Sequence, residues 1–155
     1  MRLRCARVLE RSVDLIIEVA DPHASLVSGH PGAAGRLLEL LPGLAAHRCS
    51  TEDDRAFTEE IRTTELPHLL EHVILELLVL AGSSPAPFGA TTWRRGDDAF
   101  CVSIADDDDI VCLGAARLGL EIIESIRAGL EPPDLSDGIA RLSRLRDTEP
   151  SPPRD

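Results

Sequence analysis

Tyrosine is missing from this chain of 155 residues, tryptophan occurs once, at Trp93, and aromatic residues make up only 3%. A core must therefore rest on Leu, Ile, Val and Ala, and the stacking platforms on which proteins lay bases or sugars are largely lacking. Positive charge is also scarce. Lys and Arg number 16 against 27 Asp and Glu, a formal net charge of −11. Such a chain repels nucleic acid and anionic membrane and attracts cations or basic ligands. Long apolar runs are absent too: the longest, within Leu69–Ala81, is interrupted by Glu71, His72 and Glu76, so no segment is fit to span a membrane. The opening MRLRCARVLE carries charge but no apolar stretch of the signal-peptide kind, which points to the cytoplasm. The four cysteines form no C-x-x-C pair. Cys5, Cys101 and Cys112 are expected to be reduced, buried small hydrophobes of a cytosolic protein. Cys49 stands apart because of its neighbours.

What is present suffices for one domain. Hydrophobic residues make up 43% of the chain, enough to bury a core without disulfides. Residues 1–146 are expected to form it, with Asp147–Asp155, rich in proline and charge, as a disordered tail. Ser12–Ala20 alternates Val13, Leu15, Ile17 and Val19 with its other residues and reads as a strand ended by Asp21-Pro22. Pro22–Gly32 reads as a loop in which His23 and His30 are solvated. Ala33–Leu41 is a short helix stopped by Pro42-Gly43, and Thr51 to Arg62 a second, acidic at its start and capped by Ser50 or Thr51. A third helix runs from His68 to Leu80, with Thr64 as N-cap, Pro67 in the first turn and Gly82 at its close. Its apolar residues leave no face fully polar, so it should be buried on most sides.

Phe88–Arg94 and Ala99–Ala105 are two strands joined by the turn Arg95-Gly96-Asp97-Asp98, with a left-handed Gly or Asp. The run Asp106–Asp109 lacks the spacing of a calcium loop and reads as a solvated turn capping the next helix. That helix, Ile110–Ala128, is amphipathic, and Leu135–Leu145 forms the last. This order implies an α+β fold, a small mainly antiparallel sheet packed against several helices.

Chemistry concentrates at His68-Leu-Leu-Glu71-His72. Residues four apart on a helix stack one turn above the other, so both imidazoles can reach one ion, with Glu71 at the rim of the same face. This is the H-x-x-E-H arrangement, the inverted form of the zincin motif. Neutral imidazole suits zinc, and a carboxylate that is not itself a ligand can serve as general base, the role assigned to Glu71. A third ligand is needed, and His47, Cys49 and Glu76 are the candidates. The preferred set is His47, His68 and His72, with Glu76 orienting an imidazole from behind and Cys49 the alternative. The polar residues interrupt an apolar helix, where burial without partners would be costly.

The segment from Leu37 to Leu145 resembles the N-terminal domain of cyanophycin synthetase, the enzyme that makes an aspartate–arginine storage polymer. The matching residues are Leu41-Pro42-x-Leu44-x-x-His47-x-Cys49-Ser50, then His68-x-x-Glu71-His72-Val73-x-Leu75-Glu76-Leu77, Ala81-Gly82, Phe88-Gly89-x-Thr91 and finally Ala115–Gly129. The family usually has arginine after the Phe-Gly-x-Thr motif, and Thr92 stands there instead. The resemblance implies a domain that holds the polymer and, in some members, a metallopeptidase-like site that clips it. Those roles would fall on His47, His68, Glu71, His72 and Glu76. The ATP-grasp and Mur-ligase-like domains that follow in that family are not in this chain, so no ligase activity is expected of it. The leading expectation is a hydrolase dependent on a Zn2+ cofactor and acting on a peptide or isopeptide bond. The alternative is a non-catalytic polymer-binding or assembly module. Homo-oligomerisation through Ile110–Ala128, as a regulatory dimer, is a third reading, set against the commoner one in which that apolar stripe is simply core.

Overall fold

Alternating apolar residues dictate the sheet. The computed structural model of the protein describes residues 1–49, 56–106 and 108–147. Four strands, β1 (Arg2–Val8), β2 (Val13–Glu18), β3 (Phe88–Arg94) and β4 (Ala99–Ala105), pair antiparallel in the order β1-β2-β4-β3. Val13, Leu15 and Ile17 of β2 lie opposite Ile104, Val102 and Phe100 of β4, which puts one apolar face toward the helices. The β3–β4 turn has Gly96 at φ 94° and Asp98 at φ 46°, the left-handed conformation expected of it.

Strand β1 was not among the expected strands. Its pairing explains why: Leu3 lies opposite Ile17, but Cys5 lies opposite Ile16, a bulge at Arg4 that breaks the period of two. Leu3 and Ala6 therefore share a face although they lie three positions apart. As an edge strand it is guarded by charge. The Arg2 and Arg4 guanidiniums both pair with Glu18 on β2. The cysteine reading needs correction at the same place. Cys112 is buried, but Cys5 is exposed and Cys101 only half-buried, because both sit on the sheet face turned from the helices.

Five α-helices occur among the described residues: α1 (Ala33–Leu40), α2 (Phe57–Glu60), α3 (Leu66–Leu80), α4 (Asp109–Arg127) and α5 (Leu135–Arg146). A 3-10 turn, Pro42–Ala46, follows α1 at the expected Pro-Gly stop. Another, Leu26–Ser28, lies in the loop where His23 and His30 are exposed as expected. The acidic helix start expected at Thr51–Asp54 lies outside the described residues, and of the described part only Phe57–Glu60 is helical. Residues 148–155, most of the expected tail, also lie outside them.

Helix α3 is the axis of the fold. Every residue from Leu69 to Leu78 is buried, with α4, β3, β4 and the Pro42–Ala46 turn packed around it. Its N-terminus is tied by the Leu66 N–H to the Ala24 carbonyl (3.1 Å). Its C-terminus ends in Gly82 at φ 70° and is gripped by α5, where Arg146 Nη1 donates to the Ala81 and Gly82 carbonyls at 3.1 and 3.2 Å. The N-cap is Glu65 rather than Thr64, whose hydroxyl is engaged elsewhere. The apolar stripe of α4 faces this core: Ala116, Ile123 and Ile126 are fully buried, and Ile110 at its start is exposed. Asp108 caps α4 by accepting from the Val111 N–H at 3.0 Å, the role expected of the acidic run.

The α3–α4 contact is set by Gly119, where an added Cβ would lie 3.1 Å from Leu70 and 3.2 Å from Val73. Gly119→Leu should cost about 1–3 kcal/mol in urea unfolding through overpacking. Gly35 of α1 meets nothing within 4 Å, so Gly35→Ala should stabilise by roughly 0.5–1 kcal/mol. A second expectation concerns alkali. Burial first, then the charges of Asp106, Asp109 and Asp108, push the Cys112 thiol up to about 12 from 9.0. Above pH 9 the unfolded chain gives up this proton and the folded chain keeps it, so stability falls as pH rises from 9 toward 12. Urea midpoints of metal-free protein should show that decline, and Cys112→Ala should lessen it, the raised Cys49 thiol contributing the rest.

Candidate metal centre

The sequence H-x-x-E-H places His68 and His72 on successive turns of α3, and the chain before the helix brings two more residues to them. After the Pro42–Ala46 turn the backbone becomes extended at His47 (φ −68°, ψ 147°). An isolated bridge between Arg48 and Ala56 and a Phe57 N–H to His47 carbonyl bond (3.0 Å) hold this segment beside α2. Phe57, fully buried, stacks on the His72 ring with centroids 3.9 Å apart and planes at 23°. The stacking fixes the rotation of that imidazole.

Three donor atoms converge. His68 Nε2 lies 3.1 Å from His72 Nε2, and Cys49 Sγ lies 3.6 Å from His72 Nε2 and 3.9 Å from His68 Nε2. Cys49, His68 and His72 are the metal-capable group found among the described residues. A tetrahedral zinc ion with Zn–N of about 2.0–2.1 Å and Zn–S of about 2.3 Å needs N–N edges of about 3.3 Å and S–N edges of about 3.6 Å. The observed edges agree to within about 0.3 Å, so the residues fit such an ion in both chemistry and spacing.

His47, the residue preferred as third ligand, stands one step further out. Its Nδ1 is 3.1 Å from His72 Nδ1, and its Nε2 is 3.1 Å from Glu76 Oε2. Cys49, the alternative, supplies the third converging atom. Both imidazoles of this group thus have the nitrogen turned from the centre engaged: His72 by His47, and His68 by Thr64 Oγ1 at 2.7 Å. Partners of this kind fix ring orientation in metal sites.

Glu71 is buried with 5% exposure, its Oε2 accepting from Thr91 Oγ1 of β3 at 2.6 Å. Its stem lies against Gly89, where an added Cβ would come within 2.7 Å of Glu71 Cγ. The Phe88-Gly89-x-Thr91 motif therefore has a physical reading: the glycine makes room for the Glu71 side chain and the threonine holds its carboxylate. Burial raises the Glu71 carboxyl above the usual range, against the pull of the Thr91 hydrogen bond and of charge on His68 and His47. Glu71, Cys49, His68 and His72 all line one cavity of about 800 Å3 between α3, β3 and the His47–Cys49 segment. Leu75, Pro85, Phe88 and Trp93 give it an apolar side.

The ionisation of the donors is set by burial. His72 is held neutral, its pKa lowered to about 3 by desolvation, then by charge on His68 and His47. The Cys49 thiol is pushed up to about 12 by burial, by its hydrogen bond to Glu60 (3.1 Å) and by the charges of Glu60 and Glu71. A neutral imidazole is ready to ligate, whereas the thiol must give up its proton, which a bound cation favours. Glu60, Phe57, Thr64 and Thr91 were not foreseen as parts of the site. No local pattern marks them, since each reaches the cluster from another element or another turn.

Purified protein should carry one zinc per chain by elemental analysis, lost in His72→Ala and in Cys49→Ser. Thr64→Val, which leaves His68 Nδ1 without its partner, should weaken zinc affinity about 10–100-fold in chelator competition.

Comparison with known proteins places this chain in a family. The family described as Cyanophycin synthase-like N-terminal domain matches residues 14–128. The chain is 34% identical over 90 residues to a cyanophycin synthetase of Geminocystis herdmanii, an alignment covering 57% of this chain and 10% of that protein. It is 32% identical over 97 residues to a cyanophycin synthetase of Crocosphaera subtropica, covering 62% of this chain and 11% of that protein. The match thus spans about a tenth of each relative. With residues 14–128 matched, the chain belongs to the family of cyanophycin synthase-like N-terminal domains.

Proposed function

We propose that this domain binds a cyanophycin-like aspartate–arginine polymer in the cavity between α3 and β3, with a zinc ion held at its wall by Cys49, His68 and His72. The observation that carries the reading is the convergence of three donor atoms at zinc-like spacing on a cavity large enough for a peptide segment. Family membership supplies the polymer, through relatives that are cyanophycin synthetases. The acidic chain suits a ligand rich in guanidinium, and exposed Glu65 at the cavity rim can meet one. His47 and Glu76 take the orienting role behind His72, and the apolar residues of β3 form the opposite wall.

A second reading, hydrolysis of a peptide or isopeptide bond, is favoured by two features of the same cavity. Three protein donors leave one corner of a tetrahedron for a reactant, as in catalytic rather than structural zinc sites. Glu71 lines the cavity beside the donors, and its raised carboxyl pKa suits proton transfer. A bound zinc would supply Lewis acidity toward a carbonyl. Glu71 would accept the proton of the attacking water and return it to the leaving amine, with Thr91 holding the carboxylate in place.

Binding of the soluble polymer should be measured by calorimetry, and cleavage by the appearance of new amino termini. Wild type is expected to bind in a manner that weakens when the zinc is removed. Absence of binding with zinc loaded would end the first reading. If cleavage occurs, Glu71→Gln should slow it about 100–10,000-fold while leaving zinc content and binding intact. Zinc-loaded wild type that binds without producing new termini would leave a binding module and end the hydrolase reading.

A further inference from the structure

We propose that Gly43 and Glu76 are positioning residues of the metal centre, acting through His47 to hold His72 in the one tautomer that can ligate. The inference rests on the zinc reading above and adds residues that never touch the ion.

Gly43 lies in the 3-10 turn Pro42–Ala46, and its φ is not among the positive values of this backbone. Conformational freedom is therefore not what the position needs. Space is. A Cβ added at Gly43 would fall 2.0 Å from Glu76 Oε1, 2.5 Å from its Cδ and 2.7 Å from its Oε2. The carboxylate lies against the turn where any other residue would put a side chain. Glu76 is buried, with 7% exposure, one turn beyond His72 on α3.

From there the hydrogens follow in sequence. A carboxylate only accepts, so His47 Nε2, 3.1 Å from Glu76 Oε2, carries the hydrogen. With His47 as the neutral imidazole, Nδ1 then carries the lone pair. His72 Nδ1, 3.1 Å away, must donate to it. That leaves the lone pair of His72 on Nε2, the atom facing Cys49 and His68. With Glu76 displaced, His47 is free to turn its hydrogen to Nδ1, and His72 then carries its own on Nε2, where it blocks the ion. The same logic does not depend on His68, whose Nδ1 meets a Thr64 hydroxyl able to donate or accept.

The test compares Gly43→Ala, Glu76→Ala and the double variant with wild type, each shown folded by circular dichroism. Zinc affinity is read by competition with a chromophoric chelator, and the His72 tautomer of the metal-free protein by imidazole 15N shifts. Each single variant should bind zinc about 10–100-fold more weakly. The double variant should be no weaker than Glu76→Ala, because the added methyl acts only through the carboxylate. The 15N shifts should show hydrogen on His72 Nδ1 in wild type and on Nε2 in a substantial fraction of each variant. Should Gly43→Ala not fold, Glu76→Ala, which adds no volume, carries both readouts. Wild type that takes up zinc while the variants match it in affinity and tautomer would overturn this proposal alone. Wild type that takes up no zinc would overturn the zinc reading and this proposal together.

Discussion

Burying Glu71, His72 and Glu76 in the most apolar helix of the chain is the constraint from which the rest of the architecture follows. Each has 7% exposure or less, and a buried polar group left without a partner costs roughly 1–3 kcal/mol, more if charged. Helix α3 itself offers His68 to His72, but its backbone groups are already bonded and cannot supply the other partners. They come from other segments: Thr91 from β3 for Glu71, His47 from the segment after α1 for both His72 and Glu76. Packing β3 and the Pro42–Cys49 region against α3 is therefore a polar requirement as much as an apolar one. An apolar substitute at any of the three would relieve the cost and remove the reason for the surrounding side chains to be where they are.

The same burial decides the electrostatics. Desolvation keeps His72 neutral and Cys49 protonated, so the cluster holds a neutral imidazole beside a thiol. It does so at close quarters: Sγ and two Nε2 atoms crowd within 3.9 Å of one another, lone pair toward lone pair unless a hydrogen or a cation lies between. A divalent ion relieves that crowding and lowers the thiol pKa at once. The thiol proton has an acceptor already in contact, the Glu60 carboxylate. A cation bound here would be linked to folding, since the unfolded chain has no preformed site.

The sequence disclosed those parts of the protein whose signals are local. The β3–β4 hairpin was legible to the residue, because alternation and a Gly-Asp turn are properties of neighbours. The H-x-x-E-H pair was legible because helical periodicity alone puts His68 over His72. Strand β1 was not, since the bulge at Arg4 erases the alternation by which strands are read. The distinction between His47 and Cys49 was not legible either. Both precede the helix by similar distances, and only the extended backbone at His47 settles that its imidazole faces Glu76 and His72 Nδ1 while Cys49 Sγ faces the two Nε2 atoms. Thr64 misled for an instructive reason: a threonine before a helix reads as a cap, but here its hydroxyl has a half-buried imidazole to satisfy, and the helix starts without it. Gly43 reads as part of a Pro-Gly helix stop and Gly89 as part of the Phe-Gly-x-Thr motif, but that each makes room for a carboxylate was not legible, because a glycine needed for a neighbour's volume looks like any other glycine.

Glu71 is where a binding domain and an enzyme part company in physical terms. Its Oε2 is committed to Thr91 by a 2.6 Å hydrogen bond, and its stem is wedged on Gly89. A purely structural carboxylate gains from such anchoring, since both the cost of burial and the raised pKa are moderated by the hydroxyl. A general base gains from it too, because preorganisation keeps Oε1 aimed without reorganisation during reaction. The two differ in what faces the second oxygen. In a structural role Oε1 must find its own compensation inside the protein. In a catalytic role Oε1 is left to the cavity, accepting the energetic burden of partial desolvation so that a proton can be taken there. Glu71 lines the cavity while its carboxyl pKa is raised chiefly by burial, a combination that a base can use and that a buried structural carboxylate shares, so the partner of Oε1 is what separates the two roles.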